Sequence, residues 1–272
     1  MATSTRLTGR WLARPWGRLR VWEAGSGPVC IALHGLGGSG RYWQGLAARV
    51  ADRFTVVAPD LAGFGHSDMP ADVTYDRTFH LANIDALVDD VAAGGRRVIV
   101  VGHSLGAVLA GLWTARTTDR LAALALVAAP FPSGQGRAAQ GPPEGGERRG
   151  GPSRAYATLQ ALWPILTLPV RSRVFPRPVI VDYIRSTPRS YWQTASNILW
   201  DDAAARDLEP LRRLRDRPVL LLSAVDDRRV PAADTDRWSE LLPSADRVVT
   251  SGGHQLLLRT HFETLAAWLL ER

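Results

Sequence analysis

The stretch Arg97-Val98-Ile99-Val100-Val101-Gly102-His103-Ser104-Leu105-Gly106, running into Ala107-Val108-Leu109-Ala110, decides the fold. A β-branched apolar run reads as a buried strand, and the alanine- and leucine-rich run from Ala107 to Arg116 reads as a helix. Between them stands Gly-x-Ser-x-Gly. A turn from strand to helix that is this tight leaves no room for a side chain two residues to either side of its centre, hence Gly102 and Gly106. It lifts the Ser104 hydroxyl clear of the sheet and sets it at a helix N-terminus, where the dipole favours negative charge.

Outward from this turn the chain repeats one theme. Apolar runs at Val29–Leu33, Phe54–Ala58, Val98–Val101, Leu121–Ala129, Val219–Ser223 and Arg247–Thr250 alternate with helical patterns. The helices fall at Tyr42–Val50, His80–Ala93, Ala107–Arg116, Asp234–Leu242 and Gln255–Glu271. Alternation of this kind predicts an α/β protein with a doubly wound, mostly parallel sheet covered on both faces. Runs near Trp11 and at Leu19–Trp22 predict a leading hairpin. The pattern breaks after the sixth strand. Ser133–Ser153 is crowded with glycine and proline and reads as a flexible loop open to trypsin at Arg137, Arg148 or Arg149. Beyond it, Ala155–Leu168, Pro178–Ser186 and Ser190–Leu199 read as short helices. The expected organisation is a core of residues 1–130 and 211–272 with residues 131–210 inserted as a helical cap.

Composition bounds the function. The 272 residues carry 46% hydrophobic and 22% charged side chains, which excludes wholesale disorder. No apolar run approaches the ~20 residues of a membrane helix, and the first residues lack the apolar stretch of a signal peptide. The single cysteine, Cys30, has no internal partner. A cytoplasmic protein without stable membrane insertion is expected. The net charge of +7 comes with 33 arginines and no lysine. These are scattered and accompany no nucleic-acid motif, so no nucleic-acid partner is expected.

A serine hydroxyl needs a base to become a nucleophile. Of six histidines, His34, His66 and His103 sit at glycine turns or strand ends, and His80 and His261 fall within helical patterns. His254 follows a strand and the loop Ser251-Gly252-Gly253, at the same sheet edge as Ser104. The acid to hold its ring is expected at another strand end on that edge. Val219–Ser223 leads into Ala224-Val225-Asp226-Asp227, and either aspartate fits.

With these residues in place the chain resembles the α/β-hydrolase fold family of esterases and lipases over nearly its whole length outside the cap. His34-Gly35, the segment Asp60-Leu61-Ala62-Gly63-Phe64-Gly65-His66-Ser67-Asp68 and the elbow Gly102–Gly106 carry the resemblance. So does the chain order serine, acid, histidine. The resemblance implies a catalytic triad of Ser104, His254 and Asp227. Its spacing to Val230-Pro231 favours Asp227 over Asp226, although Ala224 stands where the family has glycine. It further implies an oxyanion hole from the backbone N–H groups of Leu36 and Leu105, and a structural role for His34.

The implied activity is hydrolysis of an ester-like acyl bond in a small, apolar acyl substrate, through an acyl-enzyme, without cofactor or metal. Serine at the elbow argues against the dehalogenases and epoxide hydrolases of this fold, which use aspartate there. Carboxylesterase, lactonase and thioesterase chemistry share this triad; so do perhydrolases, lyases, acyltransferases and carbon–carbon bond hydrolases. Cap aromatics Trp163, Phe175, Tyr183, Tyr191, Trp192 and Trp200 are candidates to line the pocket. A rival class, an NAD-dependent dehydrogenase, is raised by Gly35-Leu36-Gly37-Gly38-Ser39-Gly40, which satisfies G-x-G-x-x-G and has Asp60 at the end of the next strand.

Overall fold

The computed structural model describes residues 5–133, 162, 181–182, 185–255 and 261–272. Its strands are β1 (Thr8–Arg14), β2 (Gly17–Ala24), β3 (Val29–Leu33), β4 (Thr55–Pro59), β5 (Val98–His103), β6 (Leu121–Val127), β7 (Val219–Ala224) and β8 (Asp246–Thr250). They form one eight-stranded sheet in the order β1-β2-β4-β3-β5-β6-β7-β8. Strand β2 runs antiparallel to both of its neighbours, β1 and β4, and β3 through β8 run parallel to one another. Antiparallel strands can be joined by a tight turn, whereas each parallel pair requires a crossover. The helical segments between the later runs supply those crossovers.

Six of the described helices are α1 (Gln44–Val50), α2 (Arg77–Val91), α3 (Leu105–Arg116), then, in the last part of the insertion, α4 (Pro188–Thr194) and α5 (Asp202–Asp207), and, past it, α6 (Ala232–Leu241). A last helix, α7 (Phe262–Leu270), closes the chain. The sheet is apolar on both faces because neighbouring side chains on a strand point to opposite sides. On one side Ile31, Leu33, Val98, Val100 and Leu124 meet α2, α3 and α6 through Leu87, Val108, Leu112 and Trp238. On the other, Cys30, Ala32, Ile99 and Val101 meet α1 and α7 through Leu46, Val50, Leu265 and Leu269. The sheet is therefore doubly wound. Cys30 is buried within it, and burial pushes its thiol up to about 12.

Several boundaries shift for local reasons. β6 stops at Val127, two residues short of the predicted end, because Ala128 turns into positive φ (45°). Helix α2 starts three residues early, since the Asp76 side chain accepts the Phe79 N–H and caps it. The predicted helix Tyr42–Val50 divides into a 3-10 turn, Gly40–Trp43, and α1.

Most of the expected loop Ser133–Ser153 and of the helix Ala155–Leu168 lies outside the described residues, as do Trp163, Phe175 and Tyr183. The predicted helix Ser190–Leu199 is α4 continued by a π-turn, Ala195–Leu199. This part of the insertion is tied to the core. The Ser190 hydroxyl donates to the Gly63 carbonyl (2.8 Å), and Asp182, fully buried, accepts from Ser39 Oγ (2.6 Å) and from Arg41. No helix among the described residues is long and apolar enough to cross a membrane.

Candidate active site

The register fixes where the strand ends meet. Leu33 pairs with Gly102, His103 with Val127, and Val127 with Leu222, so the loops after β3, β5 and β7 leave from one edge. The chain passes from β3 to β4 on one side and then to β5 on the other. Such a reversal opens a crevice at the carboxyl ends of the strands.

Ser104 stands in that crevice with φ 54° and ψ −119°. A non-glycine residue in such a region costs on the order of 1–3 kcal/mol and persists only where its surroundings impose it. Here they do. The Ser104 N–H donates to the Val127 carbonyl (2.9 Å), and its own carbonyl accepts from Ala107 and Val108 as α3 begins. A Cβ at Gly102 would lie 2.2 Å from the Gly106 carbonyl oxygen, and one at Gly106 would lie 2.2 Å from that of Leu33. The glycines are required by the elbow's own packing against β3.

His254 reaches this serine from the loop after β8. Its Nε2 is 2.9 Å from Ser104 Oγ and its Nδ1 is 2.9 Å from Asp227 Oδ2. Asp227 Oδ1 accepts the main-chain N–H groups of Arg229 (2.8 Å) and Val230 (3.0 Å). Burial works to raise the Asp227 carboxyl, but the His254 hydrogen bond and these two N–H donors outweigh it and leave the group below its ordinary value. An ionised carboxylate only accepts, so Nδ1 carries the proton and Nε2 of the neutral ring takes the hydrogen bond of the Ser104 hydroxyl.

Asp226 and Asp227 part ways at a turn, not along a strand. The Asp227 N–H closes onto the Ala224 carbonyl (3.2 Å), which sends Asp226 into solvent, where its Oδ2 accepts the Gly252 N–H at 3.3 Å. Strand alternation plays no part in this, because β7 ends at Ala224.

The loop after β3 is held by His34. The buried ring donates from Nδ1 to the Gly35 carbonyl (2.8 Å) and accepts the Leu61 N–H at Nε2 (2.9 Å). The Gly38 N–H also donates to Gly35 (2.9 Å), and Gly37 takes φ 73° to complete the turn. In a trans peptide the C=O and the following N–H point oppositely, so the Leu36 N–H faces away from His34. A Cβ on Gly35 would lie 3.2 Å from that of Ser104, which sets this loop directly beside the serine. Leu105 opens α3, where the first N–H groups have no partner in the helix ladder.

His261 caps the start of α7 instead of lying inside a helix, and the residues between Gln255 and His261 are outside those described. His80 is buried under the insertion, with Nε2 3.1 Å from Thr194 Oγ1. His103 was legible only as a strand-end histidine. It is buried, and its Nε2 lies 2.8 Å from the His254 carbonyl, a main-chain partner 151 residues away that no motif encodes. No group of metal-ligating side chains occurs among the described residues.

Comparison with known proteins gives one family. The model of the Alpha/beta hydrolase family matches residues 30–268. A 2-(acetamidomethylene)succinate hydrolase of Mesorhizobium japonicum is 39% identical over 89 residues, 33% of this chain and 31% of that protein. Epoxide hydrolase A of Mycobacterium tuberculosis is 39% identical over 119 residues, 42% of this chain and 36% of that protein. The chain thus spans about a third of these curated relatives. A thioesterase domain from the curacin biosynthetic pathway superposes with a TM-score of 0.72 at 22% identity, covering 98% of this chain and 99% of that one.

Proposed function

The chain belongs to the alpha/beta hydrolase family, and we propose that within it the protein is a serine hydrolase that cleaves an ester-like acyl bond through an acyl-enzyme. The observation that carries this reading is the hydrogen-bonded series Ser104 Oγ, His254, Asp227, with both links at 2.9 Å. In the first step Ser104 Oγ bonds to the acyl carbon while its proton passes to His254 Nε2. Asp227 keeps the proton on Nδ1 and stabilises the imidazolium. Negative charge gathers on the carbonyl oxygen, and in this reading the Leu36 and Leu105 N–H groups receive it. The bond to the leaving group then breaks as His254 returns the proton to it. Water, deprotonated by His254 in turn, releases the acid and restores Ser104.

The elbow here holds Ser104, so the reading rests on a serine nucleophile and not on the epoxide chemistry that one relative is named for. Residues 131–210 act in this reading as the cap that selects the acyl group. Three of its described aromatics, Tyr191, Trp192 and Trp200, form a T-shaped and a tilted contact with one another (5.5 and 5.8 Å between centroids), which suits packing as well as pocket lining.

The test is a fluorophosphonate probe together with a panel of p-nitrophenyl esters, lactones and acyl thioesters. Wild type is expected to be labelled on Ser104 and to turn over at least one class, and Ser104→Ala to do neither while keeping its circular dichroism. Labelling that survives Ser104→Ala would remove Ser104 from the mechanism.

A further inference from the structure

Resting on that hydrolase reading, we infer that His103 is a positioning residue: its imidazole holds the main chain of His254 so that the His254 ring spans Ser104 and Asp227. Two consecutive residues of the elbow thereby grip His254 at opposite ends. Ser104 meets the tip of the ring, and His103 Nε2 meets the main-chain carbonyl at 2.8 Å.

The need for such a grip follows from where His254 sits. It lies past the end of β8 at Thr250, in a stretch of bends and turns, so among the described residues no helix or strand holds its backbone. Two side-chain hydrogen bonds orient a ring only if its Cα is already in place. The elbow is a tightly held backbone beside it, and His103 is its strand-side residue.

The His103 ring is itself immobilised. It is stacked on Tyr42, with centroids 5.1 Å apart and planes 20° from parallel, and its other neighbour is the His254 ring, also 5.1 Å away. Tyr42 in turn contacts Phe262, the first residue of α7, at 6.4 Å. The stack thus bridges the elbow to the C-terminal flank of the His254 loop. A carbonyl only accepts, so Nε2 must carry a proton. Burial, with the nearby His254 ring, drives the His103 pKa down to about 3 and keeps the ring neutral, which leaves Nδ1 bare. This is a fixed donor, not a second acid or base.

His103→Phe keeps a ring on Tyr42 and removes the donor; His103→Gln restores an N–H of similar reach. The expected result is a kcat lowered on the order of 10²-fold in His103→Phe at nearly unchanged KM, the cost of misplacing a reacting group by about an ångström. Fluorophosphonate labelling of Ser104 slows in step, and His103→Gln recovers part of both. A merely structural role would lower the melting temperature and leave the kcat of the folded enzyme alone. His103→Phe that folds and turns over at the wild-type rate would overturn the inference while the hydrolase reading stands. If wild type is not labelled at Ser104, the hydrolase reading fails and takes this inference with it. A measurement on wild type covers the case of a variant that does not fold. Nitrogen-15 NMR of the histidine rings should show His103 as the neutral Nε2–H form down to pH ~5, well below an ordinary histidine's pKa. An Nδ1–H or charged ring there would equally overturn it.

Discussion

Asp227→Asn keeps the shape of the side chain and removes one proton acceptor, and the structure fixes which one. Oδ1 takes two main-chain N–H groups, from Arg229 and Val230, and only an oxygen can do so. The asparagine carbonyl must therefore stay there, which turns its NH2 toward His254 Nδ1. Two donors cannot face each other. The imidazole proton moves to Nε2, where it points at Ser104 Oγ, and the base is lost. A wrong tautomer of this kind has cost ~10⁴ in kcat in a serine protease triad, or ~5.5 kcal/mol. The escape is to flip the amide, leaving two N–H groups without an acceptor at ~1–3 kcal/mol each, ~2–6 kcal/mol in all. The flipped amide is also neutral and stabilises the imidazolium less. The expected loss therefore lies between ~10² and ~10⁴ in kcat, with the fold intact. Asp226→Asn is the control. Its side chain is exposed and keeps an oxygen for the Gly252 N–H, so turnover should stay near wild type and stability within about 0.5 kcal/mol. The assay is kcat and KM on the best ester of the panel, with unfolding in urea alongside. The reverse ranking would hand the role to Asp226, and two mild variants would mean that the acid comes from another strand end.

His254→Ala should lower turnover by several orders of magnitude in the same assay, because residues of such a unit fail together. His261→Ala, at a helix cap without a side-chain hydrogen bond, should cost little. Gly106→Ala forces a methyl to within 2.2 Å of the Leu33 carbonyl oxygen and should destabilise by ~1–3 kcal/mol or more, read as a lower urea midpoint. His80 is held neutral by burial, its pKa lowered to about 3. Its folded value lies below its unfolded one, so the stability it contributes is complete above pH ~6.5 and drains as pH falls toward about 3. The loss is at most ~1.4 kcal/mol per pH unit, and His80→Gln should flatten that slope between pH 7 and 5.

The sheet and its winding were legible because a parallel strand buried on both faces writes an unbroken apolar run, as in Val29–Leu33 and Val98–Val101. The serine was legible because its turn leaves two sterically required glycines in the sequence. Strand ends were less so, since Ala128 looks like one more apolar residue until its φ of 45° is seen. The separation of Asp226 from Asp227 was not legible, because a turn closing on Ala224 is not written in side-chain pattern. His103 shows the remaining limit. Its identity is plain in the pentapeptide, but its partner is a carbonyl, and every residue has one.

The glycine run Gly35–Gly40 makes the same point from the other side. By spacing it satisfies a dinucleotide-binding fingerprint, in which glycines let a phosphate approach free N–H groups at a helix start. Here the glycines serve packing instead. The Gly38 N–H closes a turn onto Gly35, and a Cβ on Gly40 would lie 2.2 Å from the Ala58 carbonyl oxygen. The Gly40 N–H itself donates to Asp60 Oδ1 at 2.6 Å. Asp60, the candidate ribose acid, is fully buried and also accepts from the Trp22 indole and the His66 N–H. A carboxylate so committed has no lone pairs facing solvent for a ribose hydroxyl. Its work is internal: it clamps the far end of the loop whose near end His34 fixes beside Ser104. The residues that imitate a cofactor site are thus the ones that hold the Leu36 N–H in place. What separates the two uses is where the N–H groups go, which glycine spacing alone does not state.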